Sequence, residues 1–441
     1  MKRELTLSVY QHFYTEGSHR PPLSEVTVPR AEKKKRAQVR SAYYGQFRPV
    51  LLILRIFGRY TIQLNEKGEW EGKRISPSAL YCLINYGLQT YVAVIVCFRR
   101  VQALVDSQSN YDEFIFSIHI LAYLNIHFHV PFTYWLQNSR MAHYLNLWND
   151  FQLNWEATFG EKLELMYKRT VLIYVAVIIP AVVLFLVFEQ YSTLHDPWLY
   201  FLPYFFTIVS TALVLVLWSL TCIELKRLSE DVSLKLIASL ETKPNKWLLK
   251  RWRHLWLDLR QLTMSLGTDL SAVLMSIMLT FSTTFLLGLY NGLVQLISYD
   301  ISWKAIGYLC ASTFSLAIVF TICDAGHRAT SALQITRANT VNHNEVAVHN
   351  YLIHCLVYRN PQEVASCTLT AVLKAKISMV NAEVRHEIFL ILESIKAGAP
   401  DIQLGGFVTL NRPLVVSLIS NTLTYLIVLL QFKVNEEENE S

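Results

Sequence analysis

From Val171 to Phe188 the chain reads VLIYVAVIIPAVVLFLVF, eighteen residues without a charge. A backbone buried in hydrocarbon finds no water partners and must satisfy its own N–H and C=O groups, which leaves only helices and closed barrels. A barrel strand alternates polar and apolar residues over about ten positions. This run does not alternate, so a membrane helix is expected over 170–188. Six more stretches of similar character lie at 78–98, 114–136, 198–223, 270–297, 305–323 and 410–432. Each approaches or exceeds the roughly twenty residues that span a bilayer. Only 17% of the residues are charged and 52% are hydrophobic, whereas a soluble protein carries about a quarter of its residues charged. The expected fold is an all-α membrane protein with seven transmembrane helices, which excludes a soluble multidomain enzyme.

Orientation follows from the basic residues, since cytoplasmic loops retain Lys and Arg. With the N-terminus inside, about 35 of the 40 Lys and Arg fall on the cytoplasmic side. An odd number of spans then puts the C-terminus, the acidic VNEEENES, outside. This is the reverse of a G-protein-coupled receptor, and neither a DRY after the third span nor an NPxxY in the seventh is present. The start, MKRELTLSVY, has no apolar core before a cleavage site, so the first span is expected to target the chain.

Five sections result. Residues 1–76 form a cytoplasmic basic tail and an amphipathic segment, FRPVLLILRIFGRY, whose Arg48, Arg55 and Arg59 forbid spanning and suit a helix on the inner leaflet. Residues 77–324 hold spans one to six. Residues 325–409 form a cytoplasmic helical anchor, 410–433 the seventh span, and 434–441 an acidic extracellular tail. The segment NKWLLKRWRHLWLDLRQL places Trp247, Leu248, Trp252, Leu255 and Leu259 at helical spacing, and 362–395 has a similar pattern. Both read as helices that leave the membrane and pack together, with His386 and Glu387 on a solvated face.

The seven cysteines include no CxxC pair, so neither a disulfide scaffold nor a zinc site is indicated. No HExxH, GxSxG, P-loop or dinucleotide fingerprint is present, and no catalytic residue, metal ligand, cofactor or nucleic-acid partner is expected. A secondary transporter is the competing class, but its pathway normally leaves ionisable groups inside the spans. Here Glu189, Asp269, Asp300 and Asp324 stand at span ends.

The seventh span, NRPLVVSLISNTLTYLIVLLQFK, carries the most information. Asn411 and Pro413 suit a helix start. At about 100° per residue, Ser417, Asn421, Thr424 and Gln431 fall within about 40° of one line, with Val428 among them. A polar stripe in a bilayer serves either hydrogen bonding to a neighbouring helix or a water-filled pathway. This one runs the length of the helix and is interrupted by Val428, which would suit a constriction that gates by dewetting. One chain offers a single such helix, so a pore requires oligomerisation.

At these residues the sequence also resembles a known family. Thr424 and Tyr425, five apolar residues from Leu426 to Leu430, then Gln431 and Phe432 match the TYhhhhhQF signature that closes the insect gustatory receptors, where h is hydrophobic. The resemblance implies a ligand-gated cation channel in the plasma membrane of chemosensory neurons. It implies a homo- or hetero-tetramer with related subunits, its seventh helices around a central pore and a ligand pocket in the outer half of each subunit. By the same resemblance, Gln431 and Phe432 sit at the gate, Thr424 and Tyr425 orient the pore helix, and Glu436, Glu437, Glu438 and Glu440 ring the outer mouth. Sugar-sensing members place Glu after the Thr-Tyr pair, where this chain has Leu426. The ending LLQFK, with VNAEVRHEIF and GGFVTLNRP upstream, looks most like the carbon dioxide branch, with bitter or other small organic ligands as the alternative. A metabotropic receptor remains a further alternative.

Candidate pocket residues are His119 and Tyr123 on the second span, and Trp198, Tyr204, Tyr290, Asn291, Gln295 and Trp303 near the outer ends of the fourth to sixth. The competing explanation for the aromatic members is the interfacial belt. His127 and His129 lack the spacing of a metal pair and are expected to bond to neighbouring helices.

Overall fold

The computed structural model describes residues 41–73, 76–106, 111–165, 167–189, 191, 201–242, 245–298, 303–334, 381–396 and 402–440. The expectations for the basic tail up to residue 40, for Trp198 and Asp300, and for 335–380 lie outside them.

The apolar runs become long helices. In chain order they are α1 (Ala42–Ile56), α2 (Pro77–Asp106), α3 (Tyr111–Phe159), α4 (Lys168–Glu189), α5 (Phe201–Thr242), α6 (Lys246–Asp269), α7 (Ser271–Ser298), α8 (Trp303–Gln334), α9 (Ala382–Lys396) and α10 (Arg412–Glu440). Two antiparallel hairpins complete the described structure: β1 (Ile62–Leu64) with β2 (Trp70–Gly72), and β3 (Gln403–Leu404) with β4 (Val408–Thr409). Six of the described helices, α2, α4, α5, α7, α8 and α10, are long and apolar enough to cross a membrane. The span expected at 114–136 lies within α3, which runs on to Phe159 as one 49-residue helix. At about 1.5 Å per residue α3 is more than twice as long as a bilayer core is thick. With the 42-residue α5 it carries the bundle well beyond any membrane it crosses.

That extension explains α6 and α9. Along α6, Trp252, Leu255, Trp256, Leu259, Leu262 and Leu266 form one buried stripe, and α9 docks beside it through Ile388, Ile391 and Leu392. Lys246 pairs with Glu383 at 3.3 Å and Arg253 with Glu387 at 3.4 Å. The two segments expected to pack together do so over the described part, 382–396. His386 is exposed, but Glu387 is buried, which corrects the expectation of a solvated pair. The Arg253 guanidinium gives the Glu387 carboxylate the partner that burial requires.

The amphipathic segment is also corrected. In α1 the residues Tyr43, Phe47, Val50, Leu51 and Leu54 are buried against α3, α4, α5 and one another, so its apolar face is covered by protein. Tyr43 stacks on Trp148 with ring centroids 4.5 Å apart and shares a hydrogen bond with Thr221 at 2.7 Å. Arg59 is buried and donates to Gln89 of α2 at 2.9 Å.

Candidate functional site

The last helix begins as its sequence predicts. Asn411 Oδ1 accepts from the Leu414 backbone N–H at 3.0 Å, satisfying one of the first-turn donors. Below that start, Arg412 donates to Asp324 of α8 at 2.9 Å, and the Leu410 side chain lies 2.9 Å from the place a Cβ would take on Gly326.

α10 packs only part of its circumference, against α7 and α8. Val415, Thr422 and Leu426 are buried, while Leu414, Leu418 and Ile419 rest on the main core. Ser417, Asn421, Thr424, Tyr425, Val428 and Gln431 are all exposed. At about 100° per residue the packed line of Val415, Thr422 and Leu426 lies about 140° to 180° round the helix from Ser417. The polar stripe therefore points away from the rest of its own chain. Two of its hydroxyls are bonded within the helix, Ser417 to the Pro413 carbonyl and Thr424 to the Ser420 carbonyl, both at 3.1 Å. Leu418, beside Ser417 in sequence, packs inward against the core. The helical backbone continues through the acidic residues to Glu440; the side chains of Phe432 and of the acidic tail lie outside the described residues.

The upper part of α10 meets the candidate pocket residues. Leu426 forms a small apolar cluster with Leu287, Tyr290 and Val294 of α7, flanked by Ile118 and Ala122 of α3. This cluster is separate from the main core. Beside it, His119 is buried with its ring 6.1 Å from that of Tyr308, and Asn291 is buried one residue after Tyr290. Among the described residues, His119 Nδ1, Asn291 Nδ2 and Ser117 Oγ are buried and have no hydrogen-bond partner. His119 on α3 and Asn291 on α7 thus each leave a polar atom open to a molecule that could bond to it, while Ser117, two residues before His119, projects about 200° away from it round α3.

The other pocket candidates divide. Gln295 is half-buried. Tyr204 belongs to the main core, away from the Tyr290 cluster, and Trp303 is 73% exposed, as an interfacial belt residue would be. The side chain of Tyr123 and the whole of Trp198 lie outside the described residues. His127 is buried, bonded to Thr90 of α2 at 3.2 Å and stacked on Tyr86, whereas His129 is exposed and makes no such link among the described residues. No group of three His, Cys, Asp or Glu side chains converges among the described residues.

Ser117, Tyr308 and Gly288 were not singled out by sequence. A Cβ on Gly288 would lie 3.1 Å from His119 Cε1 and 3.2 Å from the Tyr308 carbonyl oxygen, and one on Gly292 would lie 2.7 Å from Leu309 Cδ2. Gly288 and Gly292 form a small-xxx-small pair, the pattern that lets membrane helices approach closely. That pattern was readable in GLYNG and marks the α3–α7–α8 contact.

Known proteins resemble this chain in sequence or in fold. The chain is 24% identical over 398 residues to Gustatory and odorant receptor 22 of Anopheles gambiae, covering 89% of this chain and 79% of that one. It is 23% identical over 408 residues to Gustatory and odorant receptor 21a of Drosophila melanogaster, covering 90% and 82%. The solved insect olfactory receptor OR5 of Machilis hrabei, in complex with eugenol, superposes with a TM-score of 0.54 over 88% of this chain and 99% of that chain, at 11% identity, so there the likeness is one of fold. Residues 47–372, most of the chain, match the family described as 7tm Chemosensory receptor. The chain belongs to that family, with the gustatory and odorant receptors of insects among its relatives.

Proposed function

We propose that the protein is a chemosensory receptor of the plasma membrane that is itself a ligand-gated, cation-conducting channel. Four copies, identical or mixed with related subunits, surround a pore lined by Ser417, Asn421, Thr424 and Val428, with Gln431 and Phe432 at the gate. In this reading α3 supplies the seventh span, the N-terminus is cytoplasmic, 325–409 with α6 forms the anchor, and the acidic end of α10 reaches the extracellular mouth and concentrates cations.

The observation that carries the reading is the opposition of two faces on α10. The line of Val415, Thr422 and Leu426 packs on α7 and α8, while on the far side a polar stripe broken by one valine is left unpacked by the chain, and Val416, Leu423 and Ile427 form an exposed apolar flank between them. Polar residues turned toward lipid are costly, so the stripe calls for a hydrated or protein-lined neighbour. The link between ligand and pore is the cluster that joins Tyr290 to Leu426: a molecule bound at His119 and Asn291 would press on the helix that bears the gate. The terminal motifs point to carbon dioxide, with a bitter or other small organic compound as the alternative.

Whole-cell recording from a heterologous cell, with the chain expressed alone and with related subunits, tests this. A panel of carbon dioxide, sugars and bitter compounds should evoke a cation current that persists when G-protein signalling is blocked and changes when Gln431 is replaced by Ala. Current that disappears with G-protein block, or follows a co-transported gradient, would contradict a channel.

A further inference from the structure

A second polar region lies farther along α3 from His119. Tyr60, Tyr134, Gln137, Asn138 and Asp269 line a cavity whose apolar walls come from α1, α5 and α7. It has about 20 Å³ open to water, against about 10–15 Å³ needed to seat one molecule. Asn138 donates to Thr61 Oγ1. The Gln137 carboxamide, turned to suit both neighbours, donates to the Asp269 carbonyl and accepts from the Ala272 N–H, each at 3.2 Å. It thereby bridges the break at Leu270 where α6 ends and α7 begins.

Three polar atoms at this cavity have no partner among the described residues: Asp269 Oδ2 and the hydroxyls of Tyr60 and Tyr134. Asp269 is 6% exposed and Tyr60 5%. A carboxylate oxygen so deeply buried is strongly unfavourable unless it accepts hydrogen bonds or gains a proton. Hydroxyls can donate and accept, and buried water typically makes about three bonds to such groups.

We propose that the cavity is an internal site for one or two water molecules, held between Asp269 Oδ2 and the Tyr60 and Tyr134 hydroxyls, and that Asp269 takes up a proton there. The proton comes from solvent, lands on Oδ2, and turns an acceptor into a donor toward the bridging water. The joint between α6 and α7 is then held with no buried negative charge. Burial already holds the Asp269 carboxyl above its usual range, at about 6, against the opposing pull of His143 and Arg140 and of a hydrogen bond with Thr268. The charged and titratable groups around it are those two and Tyr144 and Tyr134 from α3, Tyr60 from the segment after α1, and Arg59, which faces Tyr134. The cavity walls from α1, α5 and α7 contribute only Leu and Val side chains.

The sign is fixed by linkage. A folded-state value above the unfolded one of 3.8 gives stability that is present below the unfolded value and is lost as pH rises through about 6. The full-length protein, purified in detergent, is unfolded thermally from pH 7.5 to pH 5.0 in sodium chloride and in choline chloride. The wild-type midpoint should rise by about 2–5 °C relative to Asp269→Asn as pH falls through about 6, equally in both salts. Tyr60→Phe, which keeps the carboxyl but removes a donor to its ionised form, should move that transition to higher pH. Parallel curves for wild type and Asp269→Asn, or an unmoved transition in Tyr60→Phe, would overturn the proposal. So would stabilisation by sodium alone that Asp269→Asn abolishes, which would make the occupant a cation.

Discussion

Arg412, the first residue of α10, donates through Nε to one oxygen of Asp324 on α8 at 2.9 Å and brings Nη2 to the same oxygen as an ion pair, also at 2.9 Å. The other carboxylate oxygen takes Arg328 at 2.7 Å, so one acid of α8 holds both its own next turn and the start of the last helix. The Asp324 side chain is only 10% exposed and that of Arg412 is 57% exposed. Asp324→Asn should therefore destabilise by about 1–3 kcal/mol, short of the full penalty for breaking a deeply buried pair. Arg412→Ala should cost less than about 1 kcal/mol because solvent screens its guanidinium. Thermal unfolding of the purified protein ranks the two; the reverse order would show that the clasp is held mainly by Arg412.

Backbone proximity separates two glycines that are equally crowded on paper. A Cβ on Gly72 would meet the Asn138 carbonyl carbon and oxygen at 2.7 Å, backbone atoms of α3 that cannot move aside. On Gly292 it would meet the far end of the Leu309 side chain, which can change rotamer. Gly72→Ala should cost about 1–3 kcal/mol, in the range of overpacking, and Gly292→Ala clearly less. Yield and melting temperature of the two variants, measured side by side, check this.

Trp218 is fully buried in α5 and its Nε1 donates to the Ile322 carbonyl of α8 at 3.1 Å. Trp252 does the same from α6 to the Val232 carbonyl at 2.9 Å. Each Trp→Phe substitution keeps an aromatic ring but removes a side-chain hydrogen bond to a carbonyl, which retains its own helical donor, and opens space in a buried site. A loss of about 1–3 kcal/mol is expected for each, read as the denaturation midpoint. A neutral result at Trp218 would mean that the α5–α8 contact does not need that bond.

Along α9, neighbouring residues should behave differently. Glu387 is buried opposite Arg253, whereas His386 is exposed. Glu387→Ala should loosen α9 from α6 and speed hydrogen exchange over 382–396 by several-fold, while His386→Ala should leave exchange unchanged. Equal protection in both variants would remove the ion pair from the account of how α9 is held.

These cases also mark what a sequence displays. Helix positions were legible because apolar length is a one-dimensional property: the start of a span at 270, the Asn411 cap and the extent of α4 could all be read directly. What covers an apolar face was not. The stripe of α1 fits lipid as well as it fits protein, and only the packing of Tyr43 on Trp148 decides between them. Glu387 was misplaced for the same reason, since its partner Arg253 stands 134 positions earlier. The polar stripe of α10 was correctly located by periodicity, but its direction depends on which residues α7 and α8 cover. Among the pocket candidates, composition could not separate Tyr290, enclosed beside Leu426, from Trp303, exposed at a helix end.

On the proposed function, the unpacked face of α10 borders a hydrated ion pathway. Cysteine placed singly at Ser417, Asn421 and Val428, with Val415 and Thr422 as bundle-facing controls, tests it when a charged thiol reagent is applied during ligand-evoked current. Block at the first three positions with Val415 and Thr422 spared is the predicted outcome. Modification at equal rates all round the helix, or no effect at any of the five, would contradict it.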